Sequence, residues 1–133
     1  MFNKSVVILF FLFVVSCKEQ IEQQSLRQIL PLSNQGTMIY GLNLRDCTNC
    51  KTQMKRYIAK ENSKAKILLL KDVRPIELKA IKNIAYLKQN IDTVINKEKI
   101  YNKAQRHSSY QNSYILEYKP EQDTFVEKLY HSY

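Results

Sequence analysis

Arg45-Asp46-Cys47-Thr48-Asn49-Cys50-Lys51 is the stretch on which the reading of this chain turns. An alternating run of Met38, Tyr40, Leu42 and Leu44 leads into it, with the two-residue period of a strand. Cys50, Met54, Tyr57 and Ile58 lead out of it at helical spacing. Two cysteines therefore stand where a strand hands over to a helix. The first turn of a helix leaves backbone N–H groups unpaired and carries the positive end of the dipole, so a thiolate there is stabilised and a thiol activated. The pattern places Cys47 before the helix, at its exposed mouth, and Cys50 on its buried face.

The flanking sequence extends this junction into an α/β fold. A strand is expected over residues 37 to 45 and a helix over 50 to 61. The continuous run Ile67-Leu68-Leu69-Leu70 then reads as a strand covered on both faces, within Lys64 to Leu70. Strand, helix and buried strand in so short a span form a βαβ unit, whose strands should be parallel and its crossover right-handed. Pro75 suits the first turn of a second helix, where its missing N–H matters least, and Leu78, Ile81, Ile84 and Ala85 carry that helix to about Leu87.

Further on, Ile91-Asp92-Thr93-Val94-Ile95 fits either a short strand or a helical turn, and Glu98 to Gln105 a short helix. Tyr114 to Tyr118 and Thr124 to Tyr130, joined by Lys119-Pro120-Glu121-Gln122-Asp123, read as an antiparallel hairpin.

The N-terminus has a different character. Lys4 is followed by an unbroken apolar run from Val6 to Val15, the core of a signal peptide and too short for a comfortable membrane span. The run ends in Val14-Val15-Ser16-Cys17, which resembles the lipobox of bacterial lipoproteins. That resemblance implies cleavage after residue 16 and lipidation of Cys17, so that the protein meets the membrane through an N-terminal lipid. Lys18 stands where, in the familiar sorting rule for such lipoproteins, an aspartate would retain the protein at the inner membrane. The rule implies a cell-envelope protein at the outer membrane, facing the periplasm.

Residues 17 to 36, rich in glutamine and closed by Pro31 and the Ser33-Asn34-Gln35-Gly36 turn, read as a flexible tether. At ~3.3 Å per residue it could reach roughly 60 Å. Residues 37 to 133 then form one domain, expected to be a monomer.

The chain of 133 residues carries a net charge of +9, and Lys4 is the only charged side chain in the segment removed. Such an excess beside nine tyrosines could suggest nucleic acid, but the export signal argues against that partner. A basic surface suits anionic lipid head groups instead, at about 1 kcal/mol per cation near the membrane.

Three cysteines in an exported chain leave one over, and lipid on Cys17 would leave Cys47 and Cys50 as a pair. A bridge between them closes too short a loop to constrain the unfolded chain much, so stapling is a weak reason for it. Zinc would need two further ligands, and His107 and His131 lack the usual spacing. Covalent haem attachment expects a histidine where Lys51 stands. No cofactor or metal is expected.

The order strand, C-x-x-C at a helix start, helix, strand, helix and hairpin resembles the thioredoxin family over residues 37 to 130, with Cys47-Thr48-Asn49-Cys50 as its specific motif. The resemblance implies a three-layer thioredoxin-like domain. It also implies a thiol–disulfide oxidoreductase acting on exported proteins, with Cys47 as catalytic nucleophile and Cys50 as resolving cysteine. A binding or assembly lipoprotein that keeps the scaffold without turnover is the alternative.

Three features depart from the family pattern. The proline that usually adopts a cis bond before the strand facing the cysteines is absent from Tyr110-Gln111-Asn112-Ser113. A cis bond without proline costs about 3 kcal/mol, so this loop should be built differently. Asp46 stands where tryptophan is often found, and its charge opposes a thiolate at Cys47. The helix that usually follows the hairpin is missing, which leaves one sheet face to the tether or to residues 91 to 105.

Overall fold

Four consecutive residues of a strand can all be buried only where both faces of the sheet are covered, and Ile67, Leu68, Leu69 and Leu70 are each 1% exposed or less. They belong to β2 (Ala65–Lys71), which lies between β1 (Thr37–Asn43) and β3 (Thr93–Ile95) and runs parallel to both. The computed structural model in which they are seen describes residues 25–83 and 90–128. On the other side of β1, β4 (Tyr114–Lys119) pairs antiparallel, and β5 (Thr124–Lys128) pairs antiparallel with β4. The protein is thus a mixed α/β structure with a five-stranded sheet in the order β3-β2-β1-β4-β5.

Two units divide the chain, Met1–Pro31 and Leu32–Tyr133. In the first, α1 (Leu26–Ile29) is a single turn, begun where the Ser25 N–H donates to Gln28 Oε1 at 3.1 Å. Leu26 and Leu30 are buried, so this part of the segment read as a tether carries ordered structure. The signal peptide, Cys17 and the rest of the tether lie outside the described residues.

Within the second unit, α2 (Thr48–Lys60) follows β1, α3 (Pro75–Asn83) follows β2, and α4 (Glu98–Gln105) follows β3. Alternation along β1 and β2 sends Met38, Tyr40, Leu42, Leu68 and Leu70 to one face, where Cys50, Met54 and Ile58 of α2 and Ile81 of α3 pack on them. α4 packs on β1 and β2, with Ile100, Tyr101 and Ala104 buried. That helix lies within residues 91 to 105, one of the two coverings that the sequence left open.

Several boundaries differ from the sequence reading. β1 ends at Asn43, because the Asn43 side-chain oxygen accepts the Arg45 N–H at 2.9 Å and its carbonyl accepts the Asp46 N–H at 3.0 Å, which turns the chain. α2 begins at Thr48, two residues before its apolar stripe, and ends at Lys60. The segment that fitted either strand or helical turn is a strand. Asp92 Oδ2 accepts the Lys66 N–H at 2.8 Å and Asp92 N–H donates to Lys66 O at 3.1 Å, aligning β3 on β2. The expected continuation of α3 to Leu87 falls on residues 84–89, outside the described residues, as does the part of the hairpin beyond Lys128.

Candidate functional site

Cys47 is the N-cap of α2, with extended backbone, and its sulfur accepts the Cys50 N–H at 3.0 Å. The sulfur therefore occupies the place a serine or aspartate oxygen takes at other helix starts, against one of the orphan donors of the first turn. Cys47 is exposed, whereas Cys50 is 7% exposed and packs in the α2 face of the core. The two are joined in a disulfide, with Cα atoms 5.1 Å apart. Disulfide exchange starts by attack on a sulfur that a partner can reach, and Cys47 is the exposed residue of the two.

Asp46 is the residue whose role the sequence showed least of. One carboxylate oxygen accepts the N–H of Cys47 at 2.8 Å, and the other accepts the N–H of Ser113 at 3.4 Å. Asp46 thereby joins the cysteine motif to the loop that enters β4, and a carboxylate oxygen lies within 4.8 Å of both sulfurs. Ser113 is buried, and its hydroxyl accepts the Asn43 N–H at 3.2 Å, a second tie between the same two segments.

The loop from Tyr110 to Ser113 contains no cis bond, and none occurs among the described residues. Side chains do what a fixed bond would. The Gln105 amide donates to the carbonyls of Tyr110, Gln111 and Asn112, and the Tyr101 hydroxyl donates to Asn112 O at 2.6 Å. On the outer side, Glu127 Oε1 accepts from Ser108 Oγ, Ser109 N and Ser109 Oγ at 2.8 to 2.9 Å. Burial alone would raise the Glu127 pKa, but these hydrogen bonds outweigh it and hold it below the usual carboxylate range.

The backbone groups an extended peptide would need at this edge are thus engaged within the chain: Asn112 O by Tyr101 and Gln105, Ser113 N by Asp46. Beside the motif, at the ends of β1 to β3, Arg45, Lys71, Asp72, Arg74 and Glu98 line a polar depression of about 460 Å³. Arg45 pairs with Glu77 there, and Lys71 with Glu98 at 3.9 Å.

His107 is not among the donor groups clustered at the cysteines, and its ring lies 5.1 Å from that of Phe125. Among the described residues, the clustered donor atoms at the motif are those of Asp46, Cys47 and Cys50. His131 and Cys17 lie outside the described residues. No helix among the described residues is long and apolar enough to cross a membrane.

No family model matches the chain, and neither a curated protein nor a solved structure is significantly similar to it.

Proposed function

We propose that this chain is a lipid-anchored thiol–disulfide oxidoreductase of the bacterial cell envelope, built on a thioredoxin-like scaffold. The observation that carries this reading is the asymmetry of the Cys47–Cys50 pair, one residue exposed at a helix N-cap and the other buried in the first turn. The order β1-α2-β2-α3 and the β4-β5 hairpin on the far side of β1 support the scaffold, with β3 as an added edge strand.

In the reaction, a dithiol donor first reduces the pair. The Cys47 thiolate then attacks a substrate disulfide R–S–S–R′, forming Cys47–S–S–R and releasing R′–S⁻, which takes up a proton. Cys50, once deprotonated, attacks Cys47 Sγ, restoring the disulfide and releasing R–S⁻. Two electrons pass to the substrate, and exchange in the opposite direction follows the same steps.

The test is a Cys50→Ser variant of the full chain, purified in detergent. It should accumulate mixed disulfides through Cys47 with a reporter protein disulfide, and Cys47 should alkylate faster than a model thiol at neutral pH. Failure of both abandons the enzyme. Mass spectrometry of the N-terminus tests the anchor, since an unmodified Cys17 excludes it.

One observation favours a second reading, a binding or assembly lipoprotein without turnover. The backbone edge at Asn112 and Ser113 is already engaged within the chain, which closes the simplest way to seat a substrate strand.

A further inference from the structure

The two electron-transfer directions differ in how well the protein tolerates the reduced pair. A couple whose thiolate form is stabilised takes electrons, and one whose thiolate form is opposed gives them. At this site the helix N-cap favours a thiolate on Cys47, while the Asp46 carboxylate lies within 4.8 Å of both sulfurs. The carboxylate is held there by the N–H groups of Cys47 and Ser113. Its neighbour Arg45 is taken up by Glu77. A fixed negative charge costs nothing beside a neutral disulfide and opposes a thiolate directly.

We propose that Asp46 is the positioning residue that poises the Cys47–Cys50 couple as an electron donor, so that the protein reduces disulfides in exported polypeptides. Cys47-SH and Cys50-SH together give two electrons and two protons to R–S–S–R′, yielding the intramolecular disulfide, RSH and R′SH. The inference rests on the thiol–disulfide reading above, but its test needs no protein substrate.

The full chain in detergent is equilibrated with reduced and oxidised glutathione, and the dithiol fraction is read by mass spectrometry after alkylation. Asp46→Asn keeps an oxygen for the Cys47 N–H and removes the charge. It should shift the equilibrium toward the dithiol by about tenfold, which is about 30 mV for a two-electron couple. Asp46→Ser, with a smaller neutral acceptor, should shift it the same way, and serves if the asparagine variant does not fold. Glu121→Gln, in the exposed hairpin turn, should leave it unmoved.

A shift of threefold or more toward the dithiol, specific to position 46, supports the assignment. A smaller shift, or one in the opposite direction, overturns it. Trapping of mixed disulfides by Cys50→Ser together with an unmoved equilibrium would leave an oxidoreductase whose poise Asp46 does not set. A moved equilibrium without trapping would remove the enzyme and keep the electrostatic role.

Discussion

The Tyr114 ring fills the space that any side chain at position 41 would need: a Cβ added to Gly41 would overlap it. The two residues face each other across the β1–β4 ladder, and Tyr114 is fully buried. Its hydroxyl donates to Tyr101 O at 2.7 Å, and its ring lies 5.0 Å from that of Tyr101. Burial, with the neighbouring Tyr101, pushes the Tyr114 pKa well above its ordinary value, so the phenol stays a neutral donor. Gly41→Ala should therefore destabilise the fold by about 1–3 kcal/mol, the usual cost of overpacking. Urea unfolding of Gly41→Ala, Tyr114→Leu and the double variant would check this, with the double less unstable than the sum of the singles.

Glu117 offers a prediction in pH. Its carboxylate lies 3.0 Å from Lys64 Nζ and 3.2 Å from Lys128 Nζ. Burial would raise its pKa, but the two ammonium groups outweigh that and hold it below the usual range. A carboxylate depressed in the folded state contributes stability above its unfolded pKa of about 4.3 and loses it as pH falls through the folded value. Glu117→Gln should cost about 1 kcal/mol at pH 7. Unfolding at a series of pH values should show the gap between variant and wild type closing below about pH 4.

The clamp on the loop before β4 yields a third. Gln105→Ala removes the donor shared by three successive carbonyls, 110 to 112, and keeps the ties made by Tyr101, Asp46 and the Ser113 hydroxyl. Losing about 1 kcal/mol of hydrogen bonding should speed amide exchange over residues 110 to 113 by about fivefold. Exchange in β2, between two strands and under helices on both faces, should be unaffected, and a uniform acceleration would show that Gln105 acts on the whole fold instead.

What could be read in the sequence was local or periodic. The Ile67-Leu70 run declared a doubly covered strand, the spacing of Cys50, Met54 and Ile58 declared the buried face of α2, and Pro120 declared the hairpin turn. Cys47 and Cys50 could be placed because three residues fix both the helix start and the pair. β3 was ambiguous, since three half-buried residues carry little pattern and their alignment depends on a bond between Asp92 and Lys66, 26 residues apart. The early end of β1 depends on the Asn43 side chain, which hydropathy does not register. Asp46 was legible as a charge beside Cys47, but its second partner, Ser113, is 67 residues away, and nothing in the local sequence names it.

Lys66 supplies the last prediction. It is 5% exposed in β2, and its Nζ donates to Ile58 O at 2.7 Å, in the last turn of α2. Carbonyls in that turn have no partner within the helix, and a cation is favoured at that end by the dipole. Lys66→Met keeps most of the buried stem but leaves the Ile58 carbonyl unsatisfied, at about 1–2 kcal/mol. Lys66→Arg keeps charge and donors and should lose less. Thermal unfolding should rank wild type, Lys66→Arg and Lys66→Met in falling order. Because α2 starts at the cysteines and ends at this bond, amide exchange of residues 57 to 60 should rise in Lys66→Met, while the first turn, pinned by Cys47 and its disulfide, stays protected. Equal loosening of both ends would show that the helix responds as one unit and that Lys66 reaches the cysteine pair through it.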